Sequence, residues 1–255
     1  MKKILRIGIF VVLVSILSSL PHTSHLSNLG NANTANSIEA QLVQFEDYAK
    51  DTYEKAGLEA KGLDFYVFKS GVTGFYNLMK QGQIMPHKSI VSIIDFRKPS
   101  FEKRMYIVDL NQKKLLKQTF VAHGKNTGLI YATNFSNAHN SLQSSLGFYK
   151  TDNPYQGDFG YSLRLDGMEV DFNDQARSRA IVLHGADFVG QSFVNRYGRC
   201  GRSYGCPAVP LEDTYNIINT IKGGNCLFIY KDDLYYLNES KLLNTYEAAS
   251  FFAQK

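Results

Sequence analysis

The sequence predicts a mainly β domain behind a helical N-terminal segment, with an export signal in front of both. Three observations carry that prediction. Short runs rich in β-branched and aromatic residues, separated by turn residues, recur from about residue 88 onward. Helical spacing with aromatic faces fills residues 38–80. A basic stretch followed by an apolar one opens the chain.

The opening reads MKKILRIGIFVVLVSILSSL. Lys2, Lys3 and Arg6 form a basic flank, and Ile7 to Leu17 an apolar core with one Ser. This pattern predicts a secretory signal peptide over 1–20, with cleavage as late as Ala32 or Ala35, or an uncleaved anchor if processing fails. The apolar run is short for a bilayer span, which needs about 20 residues. No cysteine follows it to carry a lipid. The expectation is an exported protein of the periplasm or cell envelope, with no stable membrane anchor after cleavage.

Residues 21–37 are small and polar and read as a linker. Ser37 is placed to cap a helix in which Ile38, Leu42, Phe45, Ala49 and Thr52 share one face, and Gly57 ends it. A second helix is expected over 64–80, with Phe65, Phe68, Val72, Phe75 and Met79 as its packing face. Together they make a helical segment over 38–87. Strands follow at Ser89–Phe96, Arg104–Leu110 and Lys114–Ala122, the last two joined through Asn111-Gln112 as a hairpin. More are expected at 146–150, 161–165, 180–184 and 226–231. Leu211–Ile221 reads as a helix after Pro210, and a tail helix is expected from about Ser240 to Ala253. The mainly β domain is thus 88–231 and the tail 232–255.

Charge excludes one class of function. The formal net charge is +5, and it falls to +2 without Lys2, Lys3 and Arg6. No Lys/Arg run exceeds two residues and no aromatic–basic stripe is present, so no nucleic-acid partner is expected. Cys200, Cys206 and Cys226 are the three cysteines. An odd count in an exported chain leaves at least one thiol free or bound to another chain.

The chemistry concentrates at AIVLHGADFV (180–189) and RYGRCGRSYGCPAVP (196–210). A thiol at neutral pH is mostly protonated, and a neighbouring imidazole can take its proton. Cys206 is the candidate nucleophile, in a turn where Gly201, Ser203 and Gly205 precede it and Pro207 follows. His184, ending an apolar run, is the candidate base, and the Gly185 carbonyl the candidate orienter of its ring. Backbone N–H groups of Tyr204, Gly205 or Cys206 are candidates for an oxyanion hole. Arg199 and Arg202 flank the turn, where either would lower the thiol pKa or hold a substrate carboxylate at two points. Structural readings stand beside these: a disulfide between Cys200 and Cys206, or between either and Cys226, with Cys226 alone simply a buried apolar residue. A zinc site from His184 and the cysteines is disfavoured, because C-x5-C-x19-C matches no standard finger.

Taken together, Ala180–Gly185 and GRSYGCPAVP (201–210) resemble the murein L,D-transpeptidase catalytic domain, the YkuD-like family. That family carries a His-Gly followed by a Ser/Thr-x-Gly-Cys turn. SSLGFYK (144–150) resembles its upstream strand, and VAHGKNTG (121–128) with FSN (135–137) resembles a branch with a GRSxGCPA turn. The resemblance covers roughly 90–231. It implies a mixed β-sandwich with the cleft on its face, Cys206 as nucleophile, His184 as base, the Gly185 carbonyl as orienter, and Ser203 and Gly205 as the Ser and Gly of the turn. It implies acyl transfer on peptidoglycan stem peptides: Cys206 releases the terminal D-Ala, and the thioester passes to a neighbouring amine as a 3–3 crosslink. Water as acceptor would make the enzyme an L,D-carboxypeptidase. No metal or organic cofactor is implied.

Two positions depart from the common family turn: Tyr204 stands in place of His, and Ala208 in place of Arg. Arg199 or Arg202 is the candidate replacement for the lost arginine. Cys206 follows His184 by 22 positions, more than usual, and the insertion 188–197 is expected as a loop over the cleft. His123, also before a Gly, either lines the substrate cleft or caps a loop, and ranks below His184 as base. A sortase-like enzyme is disfavoured because no Arg follows Cys206, and an NlpC-like peptidase because its Cys precedes its His. The remaining alternatives are a non-catalytic peptidoglycan-binding module and a disulfide-stabilised structural protein.

Overall fold

The computed structural model describes residues 24–255, and side chains from Ser37 onward. The expected signal peptide lies outside these residues. Helix α1 spans Ser24–Lys55. Its residues up to Ser37 belong to one unit, and those from Ile38 on to the main unit, Ile38–Lys255. The helix therefore runs through the stretch read as linker, and Ser37 lies inside it rather than capping it. Among the described residues, no helix is long and apolar enough to cross a membrane.

Helix α2, Phe65–Lys80, starts where the Asp64 carboxylate accepts the N–H groups of Tyr66 (2.8 Å) and Val67 (3.3 Å). It is buried almost throughout, which its length of apolar and small residues permits. Eight strands follow: β1 Ile90–Asp95, β2 Met105–Asp109, β3 Lys114–Thr119, β4 Gly147–Gly157, β5 Gly160–Gly167, β6 Val182–Ala186, β7 Ala208–Pro210 and β8 Cys226–Tyr230. They form one mixed sheet in the order β3-β2-β1-β8-β4-β5-β6-β7. β1 pairs parallel with β8, and β6 with β7. The other pairings are antiparallel. β2 and β8 are buried at every position and β1 at all but Ile90, so both faces of that part of the sheet are covered.

The sheet coils until its ends meet. Ala122, just past β3, donates its N–H to the Ala208 carbonyl of β7 at 2.8 Å. With a second bridge between Gly124 and Ser203, this one brings the two edges of an eight-stranded sheet together into a nearly closed barrel. Asp213 reinforces the seam from helix α4, Leu211–Ile221, by accepting the Thr119 hydroxyl at 2.7 Å and pairing with Lys117 at 2.5 Å. The mixed, mainly β architecture expected from the sequence is present, with the N-terminal helices packed into the same core as the sheet.

Two glycines let α2 lie on the sheet. A Cβ at Gly71 would stand 2.8 Å from Ile93 Cδ1, and one at Gly74 would stand 2.0 Å from the Phe148 ring. Phe148 in turn stacks on Phe228 with centroids 4.0 Å apart and planes within 6°. The C-terminal residues form α5 Leu234–Glu239, a short turn of 3-10 helix and α6 Thr245–Phe252, not one tail helix from Ser240. The break at Ser240 has a cause. Its hydroxyl donates to the buried Glu169 carboxylate, which also accepts from the Tyr236 hydroxyl (3.0 Å) and the Phe148 N–H (2.7 Å). Burial pushes the Glu169 carboxyl up from its ordinary pKa, against those hydrogen bonds. Asn77 of α2 holds the same tail through the carbonyls of Leu242 and Asn244, both at 2.9 Å.

Filling the α2–sheet contact is expected to be costly. Gly74→Ala should lower stability by about 1–3 kcal/mol through overpacking against Phe148, more than helix propensity returns. Denaturant unfolding checks it, with Gly71→Ala a milder case because the Ile93 methyl can move.

Candidate active site

The parallel pair β6–β7 brings the two predicted reactive residues together. His184 on β6 is the register partner of Ala208 on β7, and its N–H points to the Pro207 carbonyl at 3.4 Å. Cys206 lies two residues before that strand, with Pro207 between them. Both side chains line one cleft of about 370 Å³.

The imidazole has a defined tautomer. Nδ1 lies 2.9 Å from the Gly185 carbonyl oxygen. A carbonyl only accepts, so Nδ1 carries the hydrogen and Nε2 keeps its lone pair. The ring of Phe159, at the tip of the β4–β5 hairpin, stacks on the imidazole with centroids 4.5 Å apart. Burial lowers the His184 pKa from its ordinary value. Gly185 is required here: a Cβ would stand 2.2 Å from Thr214 Oγ1, which is fixed by its bond to the Pro210 carbonyl.

The thiol sits lower in the cleft, against backbone. The Val182 N–H donates to Cys206 Sγ at 3.4 Å, and Sγ lies 3.7 Å from the Ala180 carbonyl. Ala180 holds a left-handed backbone, φ +54°, which is uncommon for a residue with a Cβ. Burial raises the Cys206 pKa, partly countered by the Val182 N–H and the Arg179 charge. The resting pair is therefore a neutral thiol and a neutral imidazole.

The turn before Cys206 is tied from both sides. Ser203 donates its N–H to the His123 carbonyl (3.0 Å) and receives the Lys125 N–H on its own carbonyl (2.7 Å). The Ser203 hydroxyl donates to the Cys206 carbonyl at 2.6 Å and accepts the Gly205 N–H at 3.1 Å. Gly205, at φ +125°, sits against the Gln143 carbonyl, 2.9 Å from where a Cβ would be. Of the three oxyanion-hole candidates, Gly205 is thus already committed to Ser203. The Tyr204 and Cys206 N–H groups donate to no protein group among the described residues. The Tyr204 side chain is 68% exposed at the cleft mouth.

Two predicted substrate contacts are not in the cleft. Arg199 turns away and donates to the Cys200 carbonyl at 2.8 Å. His123 is fully buried, with both ring nitrogens in use. Nδ1 accepts from the Arg104 guanidinium at 2.8 Å, so Nε2 carries the hydrogen toward the Gly128 carbonyl at 3.2 Å. Burial and the Arg104 charge push the His123 pKa down to about 3. Arg104 is itself fully buried, its pKa pushed down to about 9 by burial, and it also donates to the carbonyls of Val121 and Lys98. Arg202 does line the cleft. Its Nη1 donates to the Lys125 carbonyl at 3.0 Å, leaving Nε and Nη2 free for a two-point contact.

Several contributors were absent from the sequence reading. Arg179, Phe159 and Ile181 line the cleft. Ser144 supports the turn by donating to the Gly205 carbonyl at 3.1 Å and accepting the Gly124 N–H at 3.0 Å. The insertion expected as a loop contains helix α3, Gln191–Tyr197, and contributes Phe188 to the cleft wall. All three cysteines are free and buried, so none of the disulfides considered is formed. Among the described residues, no group of three His, Cys, Asp or Glu side chains is placed to hold a metal.

Residues 59–230 match the family model described as the L,D-transpeptidase catalytic domain. The chain belongs to that family. The match starts ahead of β1 and includes α2, in keeping with the shared core. Among solved structures, the chain is similar to an L,D-transpeptidase from Mycobacterium smegmatis at 9% identity and TM-score 0.35, covering 56% of this chain and 59% of that one. An L,D-transpeptidase from Xylanimonas cellulosilytica gives 12% identity and TM-score 0.34, covering 57% and 63%. L,D-transpeptidase 3 from Mycobacterium tuberculosis gives 11% identity and TM-score 0.36, covering 56% and 61%. The chain thus spans about three fifths of the length of these structures. No curated protein matches the sequence.

The state of His123 has a consequence for stability. Its folded pKa of about 3 lies below the value of about 6.5 for an unfolded histidine. The unfolded chain binds the proton first, so this contribution is intact above pH 6.5 and is lost as pH falls toward 3. His123→Gln should therefore flatten the fall in denaturant midpoint between pH 6.5 and 4, even if it lowers the midpoint at pH 7.5.

Proposed function

We propose that this protein is an exported cysteine L,D-transpeptidase acting on peptidoglycan stem peptides. The observation that carries the reading is the shared cleft in which Cys206 stands with an imidazole whose basic nitrogen, Nε2, is free. The Sγ proton passes to His184 Nε2, and the thiolate attacks the carbonyl carbon of the third stem residue. The oxygen that becomes negative is received by the N–H groups of Tyr204 and Cys206. Collapse of the tetrahedral intermediate breaks the amide bond, and the departing D-Ala amine takes the proton from His184. The thioester then meets an acceptor amine, His184 removes its proton, and a 3–3 crosslink forms as Sγ is released. Water in the acceptor's place gives a shortened stem, the L,D-carboxypeptidase outcome.

The cleft's charge fits a donor ending in a free carboxylate. Arg179 and Arg202 line it, and among the described residues no acidic side chain does. Arg202, with two donors left over, is the group we assign to that carboxylate. Arg202→Ala should raise KM for tetrapeptide donors roughly tenfold or more, the scale of one lost charge-assisted contact of about 1.5–3 kcal/mol, with a smaller change in kcat. Steady-state release of D-Ala measures both.

The decisive test incubates the purified protein with disaccharide-tetrapeptide, beside Cys206→Ala, and weighs products and protein. Expected is a dimer lighter by one D-Ala, absent from the variant. A tripeptide monomer would replace the crosslinking reading with the carboxypeptidase. An untouched tetrapeptide, with no acyl adduct on Cys206 from a carbapenem, would leave a binding module.

A further inference from the structure

The cleft holds a second arginine whose surroundings differ from those of the two ion-paired arginines, Arg97 and Arg177. Arg177, two residues earlier, is neutralised by Asp152 and Asp166, both at 2.7 Å, and Arg97 by Asp95 at 2.9 Å. Among the described residues, Arg179 has no carboxylate partner. Its Nη1 donates to the Ser136 carbonyl at 2.8 Å and approaches Ser145 Oγ at 3.4 Å. Its Nη2 donates to the Gln143 carbonyl at 2.6 Å and the Ser141 hydroxyl at 3.2 Å. Four neutral acceptors thus fix the guanidinium and cancel none of its charge. Only Nε–H is left, so it cannot fork around a carboxylate as Arg202 can.

The segment that fixes it is itself unusual. Asn140 and Leu142 both hold left-handed backbones, at φ +59° and +56°. A leucine seldom adopts that conformation, and it persists only where the surroundings impose it. Ala180, directly after Arg179, does the same at φ +54°. These kinks aim carbonyls and hydroxyls at one guanidinium and leave the guanidinium in the wall of the cleft that holds Cys206.

From this geometry we infer that Arg179 is a fixed counter-charge for the Cys206 thiolate and for the anionic intermediate built on it, a positioning residue rather than a substrate ligand. The inference rests on Cys206 being the nucleophile. The other titratable groups lining the cleft are His184 from β6 and Arg202 and Tyr204 from the turn, while Tyr149 of β4, bonded to Ser145 at 2.7 Å, acts on Arg179 itself. The Arg179 charge bears on the thiol, whereas His184 responds to burial and the Gly185 carbonyl. Proton transfer from Sγ to Nε2 is favoured by a cation that stabilises the thiolate more than it opposes the imidazolium. Arg179 neither gives nor takes a proton in that step.

The test titrates the thiol itself. The rate of iodoacetamide alkylation at Cys206, located by peptide mass, is followed against pH in the wild type, Arg179→Met, Arg179→Lys and Ser141→Ala. Arg179→Met is expected to move the inflection upward by about one pH unit, a tenfold change in thiolate at neutral pH. Arg179→Lys, which keeps the charge but loses the planar clamp, should restore most of it. Ser141→Ala, which loosens the clamp and keeps the charge, should leave it in place. An unmoved inflection in Arg179→Met overturns the inference. So does a shift of equal size in Met, Lys and Ala variants, which would make the residue a scaffold of the loop. If Arg179→Met does not fold, the Lys and Ser141→Ala inflections decide: both at the wild-type value support the counter-charge, and either displaced by a full unit overturns it. No muropeptide enters the measurement. A shifted titration in a protein inert toward tetrapeptide would therefore keep the counter-charge and overturn only the proposed substrate.

Discussion

The site depends on the seam of the sheet. β7 is only three residues long, too short to hold a position by its own ladder, and it carries the turn of Cys206, the proposed nucleophile, on its N-terminal side. The Ala122 N–H to Ala208 carbonyl bond gives β7 a second neighbour opposite β6. The chain beyond Ala122 then runs under the turn, where His123 and Lys125 bracket Ser203 with two backbone bonds. Gly124 makes the approach possible, since a Cβ there would stand 3.0 Å from the Gly205 Cα and closer still to the Leu142 carbonyl. Closing the barrel and shaping the turn are thus one event. A sheet left open at this edge would leave Cys206 on a loop with freedom to move, at an entropic cost of roughly 1–2 kcal/mol for each residue ordered.

Burial sets the chemistry on that frame. It raises the thiol and lowers the imidazole, so the resting site holds no ion pair. In the proposed mechanism the energy of charge separation is deferred to the reaction, where fixed dipoles and charges would meet it: two N–H groups without a partner among the described residues, one carbonyl on Nδ1 and two arginines. In a site of low effective dielectric such groups interact more strongly than in water and need no reorganisation. Phe159 and Phe188 supply the apolar wall that keeps the dielectric low.

The sequence made much of this legible, for reasons that also mark its limits. β1, β2, β3 and β8 were read to within two or three residues because β-branched runs bounded by turns are local signals. α4 was read residue for residue, since Pro210, the acidic first turn and the Ile spacing agree. The short β7 carries no periodicity at all. β4 runs on past Pro154 through a bulge, where a proline inside a strand argues against one. The tail broke at Ser240 because of Glu169, more than 70 positions away, which no local pattern encodes. Cys206 and His184 were legible because a glycine-rich turn and a strand end leave a local signature. Arg199 points out of the cleft, and of the two readings of His123 the loop-capping one holds, because proximity in sequence says nothing about side-chain direction. Arg179, within RSR, reads like any surface basic residue, and only the fold brings the 136–145 segment around it.

Three arginines near the turn share one solution to burial, and the solution explains why arginine is used. Arg104, Arg179 and Arg202 all rest on backbone carbonyls and appear in none of the ion pairs of the described residues. A carboxylate partner would satisfy each of them more simply, but it would also cancel the field each projects. Carbonyl oxygens satisfy the N–H groups and leave the net charge standing. The planar fork suits this better than an ammonium, because its five donors reach several carbonyls at once and its weaker hydration lowers the cost of burial. Burial, reinforced by the Arg104 charge, keeps His123 neutral, so the segment under the turn is bound by a ring that does not titrate near neutral pH. Arg179 and Arg202 face the cleft instead. The same device, a cation held only by neutral acceptors, locks the floor of the site in one place and leaves its wall electrically positive in another.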